Sequence, residues 1–206
     1  MRLRLAYIGF AIGLLPALAS AQDDTQPPST RLTYVPPTPR ERVTWVIEGT
    51  ASLPVLGVNA LDAAWSTRAN WPKEWGRKGS GFGKRLADDE AFATVSDAIE
   101  AGVGAFWGED PRYRRSGDPR TWHRVGHALA ATVLTSRRDG RVAPAWARFV
   151  AEATATQIEN TWLPRSARTP GETAWRAGSD LLWCAAANVW DEFWPDIRKR
   201  LPASPK

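Results

Sequence analysis

From Thr38 onward the apolar residues recur three and four positions apart, and no stretch alternates at period two for long enough to make a half-buried strand. That spacing restricts the chain to helices, and the punctuation between the apolar runs divides them. Thr38-Pro39-Arg40-Glu41 places a capping residue, a proline suited to the first helical position and the acid of a capping box in one row. Val43, Val46 and Ile47 follow at helical spacing, and Pro54 is expected to kink or interrupt the helix, with Val55 to Trp65 continuing it. Residues 66–81 read as a loop around Asn70-Trp71-Pro72 and Gly76, Gly79 and Gly81.

The next helix is expected to open at Gly83 or Asp88 and to reach about Trp107, burying Phe92, Val95, Ile99, Val103 and Phe106. Ala98-x-x-x-Gly102 lies on that face and Ala101-x-x-x-Ala105 beside it, small residues that admit a close neighbour. After the Gly108–Arg115 loop, Asp118 is expected to cap a helix that buries Trp122, Val125, Leu129 and Val133 and stops near Arg137–Gly140. Pro144 opens another, with Trp146, Phe149, Val150 and Ala153 on one side, ending at Trp162-Leu163-Pro164. Thr169-Pro170-Gly171-Glu172 repeats the Thr-Pro-x-Glu start; its helix should run to about Val189, with Pro195 setting off a short basic tail helix. The expectation is an all-α, bundle-like single domain of four to five helices.

The first residues carry an address. Arg2 and Arg4, the apolar run Leu5–Leu15, Pro16 and the small residues Ala19-Ser20-Ala21 make a secretory signal peptide over residues 1–21. A flexible proline-rich lead-in follows at 22–37, then the helical domain at 38–201 and a short tail at 202–206. Export to the periplasm or cell envelope is the expected localisation. The longest uncharged runs, Gly49–Leu61 and Val125–Ser136, fall well short of the roughly 20 residues a spanning helix needs. No membrane-spanning helix is expected in the mature chain.

Composition narrows the partners. The net charge of +5 is small and its 27 basic side chains are mixed with 22 acids, which argues against nucleic acid. It is compatible with weak attraction to anionic lipid or polysaccharide. Cys184 is the sole cysteine, so no internal disulfide exists; its apolar neighbours Leu181–Ala187 mark it as a small buried hydrophobe. The outlier is tryptophan, with 12 residues. Many fall at helical spacing and are expected at packed helix junctions; the alternative is an interface, such as a membrane surface or a sugar ring, where one edge is apolar and the other wet.

Motifs for chemistry are few. His123 and His127 stand one helical turn apart, the spacing of a two-histidine metal site, but Arg124 occupies the place of a zincin's catalytic Glu. Solvated or locally bonded histidines are the expectation, and no cofactor is expected. Gly79-Ser80-Gly81-Phe82-Gly83-Lys84-Arg85 lacks the order of a phosphate loop and a preceding strand, which leaves Lys84 and Arg85 as an anion-binding candidate at a helix start. Glu109-Asp110, Glu172 and Asp191-Glu192 could serve a glycosidase, which needs two carboxyl groups across a cleft, although carboxylates at helix starts or beside arginines more often cap or pair. Glu109, Asp110, Arg112 and Tyr113 form the candidate functional loop.

Three stretches carry a likeness: Gly81-Phe82-Gly83-Lys84-Arg85, Glu109-Asp110-Pro111-Arg112-Tyr113 and Glu192-Phe193-Trp194-Pro195-Asp196-Ile197. Over roughly residues 70–200 the chain resembles a family of exported bacterial helical proteins without an established activity. Those relatives carry a His where this chain has Gly108, so the resemblance implies export and one helical domain but transfers no catalytic residue. The expected function is a non-enzymatic helical protein that meets a membrane surface or an envelope component, with self-association left open. The rival is a hydrolase of envelope lipid or polysaccharide that uses these carboxylates or a metal at the histidine pair.

Overall fold

The computed structural model describes residues 34–200. The signal peptide, the lead-in up to residue 33 and the tail from residue 201 lie outside the described residues. Within them the chain is all-α apart from one small hairpin: α1 Pro39–Ala51, α2 Leu53–Ala69, α3 Gly79–Trp107, α4 Thr121–Ala130, β1 Leu134–Ser136, β2 Val142–Pro144, α5 Trp146–Glu159 and α6 Pro170–Arg200. Counted across the break at Ser52, α1 and α2 make a single interrupted rod, which gives five helical rods.

The local signals act as the sequence suggests at several boundaries. The Thr38 hydroxyl accepts the Glu41 N–H at 3.2 Å, and the Glu41 carboxylate accepts the Thr38 N–H at 2.7 Å, closing the capping box. Pro54 falls in the first turn of α2, after Ser52 takes an extended conformation. α3 begins at Gly79, before either expected start, because its first turn docks on the preceding loop. A Cβ at Gly81 would come within 2.5 Å of the Trp75 and Gly76 carbonyl oxygens, so only glycine permits that approach.

Three expectations are corrected. The helix after Asp118 ends at Ala130, and the segment read as its continuation pairs as a hairpin, Thr135 opposite Ala143. Its two three-residue strands are too short for a period-two pattern to register. Asp118 is not the cap of α4; it precedes the N-cap Arg120, whose N–H its carboxylate accepts at 2.7 Å. Finally, α6 runs unbroken through Pro195 to Arg200. Pro195 removes one N–H from that turn, while Arg115 and Arg124 bring guanidinium donors to the neighbouring Glu192 carbonyl, at 3.0 and 2.6 Å.

α3 is the central helix, packed against α5, α2 and α1; α6 packs on α4 and α5. What lies between these helices is displaced from the expected faces: Phe92, Val95, Ile99, Val103, Val125, Leu129 and Phe149 are only half-buried, and smaller or charged neighbours take the innermost places. Among the described residues the buried apolar side chains are eight alanines, Leu163, Pro72 and Pro111. Buried with them are the charged side chains of Arg42, Arg85, Glu100, Glu109, Asp110, Arg148, Glu159, Arg176 and Glu192. On α3 the buried positions include Ser96, Glu100, Ala101 and Gly104, whereas Phe106 is 86% exposed. On α4 Ala128 is buried and Trp122 is 82% exposed; on α5 Ala147, Arg148, Ala151 and Ala155 are inside and Trp146 is outside.

The buried arginines serve carbonyls at and just beyond helix ends. Arg42 donates to the Ala101 and Gly104 carbonyls near the end of α3, and Arg148 to those of Ala131 and Thr132 beyond α4. Arg85 serves Trp71, Pro72 and Gly76 after α2, and Arg176 serves Ala167. Carbonyls at helix ends lack backbone partners, and a planar guanidinium supplies several donors at once.

Candidate functional site

The Gly108–Arg120 loop is built as a knot between four elements. Gly108 ends α3 in the left-handed conformation at φ 78°, and a side chain there would press on Arg138. The turn sends Glu109 and Asp110 inward. The Glu109 carboxylate accepts the Ala147 N–H at 2.8 Å and so caps α5, whose own N-cap residue, Ala145, has no side chain for the purpose. Its carbonyl accepts from Arg42 at 2.6 Å. Asp110, 1% exposed, accepts from the Tyr34 hydroxyl at 3.2 Å, the Arg112 N–H at 3.1 Å, and Arg112 Nε and Nη2 at 3.0 Å each. Burial and the neighbouring Asp110 push the Tyr34 phenol up to about 12. Arg112 goes on to the Glu41 carboxylate and the Val35 carbonyl, tying the loop to the start of α1.

The second half of the loop closes on α6. Glu192 is fully buried, and its carboxylate accepts the Tyr113 hydroxyl at 2.7 Å, the Ser116 N–H at 3.0 Å and Arg124 Nε at 2.6 Å. Burial alone would raise this carboxyl, but those three hydrogen bonds outweigh it and hold it below the usual carboxylate range. Asp196 pairs with Arg124 at 2.6 Å and with Arg115 at 3.2 Å. Two of the three stretches singled out in the sequence, Glu109–Tyr113 and Glu192–Ile197, thus meet through Tyr113–Glu192. The third, Gly81–Arg85, lies on the opposite end of α3.

Glu109, Asp110 and Glu192 are spent on structural donors, and a general acid or base needs a proton to exchange with substrate. The arrangement does mechanical work, fixing α1, α5 and α6 around one loop. Glu172 sits in the first turn of α6, where its N–H donates to the Thr169 hydroxyl at 3.3 Å. His123 and His127 are exposed and turn to different loop residues: His123 Nδ1 lies 3.7 Å from Asp118, and His127 Nε2 lies 2.7 Å from the Arg114 carbonyl. Among the described residues no group of three His, Cys, Asp or Glu side chains is placed to hold a metal ion. The anion candidate divides: Lys84 is exposed, whereas the Arg85 guanidinium is buried under the three carbonyls named above. Cys184 is half-buried, its thiol pushed up by burial.

One feature escaped sequence reasoning. Between α2, α3, α5 and α6 lies a set of carboxyls, Asp62, Asp89, Asp97, Glu152, Glu159 and Asp180, in a mainly polar interior. Burial, then the mutual repulsion of neighbouring carboxylates, pushes Asp89 and Asp180 up to about 8 and Asp97, Glu152 and Glu159 up to about 7. The Asp89 Oδ2 and Glu152 Oε2 atoms are buried without a hydrogen-bond partner. These acids sit singly along separate helices, so spacing gave no sign that they converge.

Comparison with known proteins finds no match. No family model fits the chain, and neither a curated protein nor a solved structure is similar to it.

Proposed function

We propose that the chain is an exported, non-enzymatic helical protein that seats its apolar exterior on a membrane surface of the cell envelope. The observation that carries this reading is the position of the tryptophans. Nine of the 12 are exposed, Trp65 at 70% and Trp122 at 82% among them, and the other three are half-buried. Around them Leu53, Leu61, Ile47, Val43 and Phe106 also face outward. Large exposed apolar area on a folded protein marks a surface with a partner, and indole rings favour the boundary between headgroups and hydrocarbon. Among the described residues no helix is long and apolar enough to cross a membrane, which suits a protein lying on the surface. Of the carboxylates singled out in the sequence for the hydrolase alternative, Glu109, Asp110 and Glu192 are held by internal donors.

The test is flotation of the purified protein with phospholipid vesicles, together with its tryptophan emission and quenching by brominated acyl chains. Co-flotation with a blue-shifted, quenchable emission is expected. A protein that stays at the bottom of the gradient, monomeric and unquenched, overturns the reading.

A further inference from the structure

Building on that reading, we infer that the groove between α1 and α3 holds an acyl chain of an anionic phospholipid, whose phosphate is met by Arg137 and Arg138 at the groove's end. The two helices run antiparallel, Arg42 lying by Gly104 and Gly49 by Asp97. Between them is a groove of about 580 Å³, within the size range of small-ligand sites. Its α1 wall is Pro39, Val43, Val46 and Ile47, spaced so that they share one face. Its floor is the small-residue row Ala98, Gly102 and Ala105 of α3. A Cβ added at Gly102 would meet nothing within 4 Å, so the floor is open rather than filled by a packed neighbour. Val43 and Ile47 are more than half exposed, so among the described residues nothing covers this apolar channel.

The charge is gathered at one end. Arg138 lines the groove beside Gly108, and Arg137 follows from β1. One nitrogen of each binds a carbonyl at the close of α3, Arg137 at Trp107 and Arg138 at Ala105, both 3.1 Å. Among the described residues neither forms a salt bridge with a carboxylate, and their remaining donors are open to an anion. The buried Arg42 lies close enough to Arg138 and Arg112 to feel both charges. Exposed aromatic residues stand at the same end: Phe106 and Trp107 close α3, and Trp146 opens the helix that Glu109 caps. An apolar channel that ends in unpaired guanidiniums among exposed aromatic rings complements a phospholipid, hydrocarbon along the channel and phosphate at its end. The hairpin end of the molecule therefore lies at headgroup depth.

The experiment uses flotation and equilibrium binding with two vesicle compositions, neutral phosphatidylcholine and the same lipid with a third of phosphatidylglycerol. The parent, Gly102→Leu and the double variant Arg137→Gln/Arg138→Gln are compared, with helix content by circular dichroism to establish folding. Preference for the anionic vesicles is expected in the parent. Losing both arginines should reduce that preference by about fivefold per arginine. Gly102→Leu should leave surface binding in place but abolish the one phosphatidylglycerol per protein that native mass spectrometry detects after detergent extraction. Equal binding to both vesicle types, unmoved by the arginine changes, overturns the inference while leaving the membrane-surface reading intact. So does photo-crosslinking from position 102 that captures residues of this chain or of a second copy instead of lipid. No vesicle binding at all overturns both.

Discussion

Arg148→Met takes the guanidinium out of the α3–α5 interface and leaves three partners without donors. Arg148 Nε lies 3.1 and 3.3 Å from the two Glu100 oxygens, and Nη2 lies 3.0 Å from Oε1. Its Nη1 reaches the Ala131 carbonyl at 2.6 Å and that of Thr132 at 2.9 Å. Both side chains are buried, Arg148 at 7% and Glu100 at 6% exposure, so water cannot replace what is lost. Methionine fills a similar space and donates nothing. Stranding one member of a buried ion pair costs about 3–5 kcal/mol, and each unsatisfied carbonyl adds about 1–3 kcal/mol. Against a total stability of about 5–15 kcal/mol, the variant should be largely unfolded or close to it.

The double variant, Arg148→Met with Glu100→Leu, separates charge from packing. It removes the stranded carboxylate and leaves only the two carbonyls, so it should be more stable than Arg148→Met alone by about 2–3 kcal/mol. In the single variant the deficit should also shrink in acid. Burial already raises the Glu100 carboxyl, and without Arg148 it binds a proton more readily in the folded state than in the unfolded chain, which favours folding at low pH. Urea unfolding followed by circular dichroism measures the parent and both variants at pH 5 and pH 8. A single variant that loses less than about 1 kcal/mol, or a double variant no better than the single, would refute the idea that charge organises this core.

The carboxyls between α2, α3, α5 and α6 give a pH dependence of definite sign. For Asp89, Asp97, Glu152, Glu159 and Asp180 the folded pKa values of about 7 to 8 lie above the roughly 4 of an unfolded chain, so their stabilising contribution is complete below about pH 4 and is lost as pH rises to 8. Glu192, Asp196 and Asp118, the last lowered to about 2, act oppositely, and their contribution fades in strong acid. Thermal unfolding should show an optimum near pH 5 and a decline towards 8, of up to about 1.4 kcal/mol per pH unit for each proton released; a Tm that climbs from pH 5 to 8 contradicts this. Glu192→Gln points an amide N–H₂ at the donors of Tyr113, Arg124 or Ser116 and should cost about 1–3 kcal/mol. Its loop should be cut faster by trypsin between Arg112 and Arg120 with helix content unchanged, whereas parental resistance would show that the Glu192 anchor is dispensable.

Boundaries set by neighbouring residues could be read from the sequence, and those set across the fold could not. The capping box at Thr38 and the interruption at Pro54 depend on side chains within a turn of one another, and both are where the local pattern puts them. The cap of α5 is the carboxylate of Glu109, 38 positions earlier, and no local pattern contains it. The arginines that meet the Glu192 carbonyl beside Pro195, Arg115 and Arg124, likewise come from a distant loop and helix. The candidate loop was legible as acids beside arginines, and its pairing of Asp110 with Arg112 is local. Its anchoring through Tyr113 to Glu192 spans 79 positions. Helical periodicity located the helices but ran one of them into the hairpin, and it put the large apolar side chains deepest where alanines and charged residues are, because it assumes that the apolar side is the buried one.

An interior of alanines and arginines has a physical consequence. Small alanines let α3 and α5 approach closely, and the arginines at their ends satisfy carbonyls that would otherwise need solvent. Such an interior removes little hydrocarbon from water, whereas the rings outside remain available. A tryptophan side chain presents about 150–250 Å², and covering apolar area returns about 25 cal/mol per Å². Covering even half of one ring therefore returns about 2–3 kcal/mol, and covering a handful of the nine exposed ones matches the whole stability of an ordinary domain. A membrane surface that covered these rings, as proposed, would enter the folding balance of this chain as much as its core does.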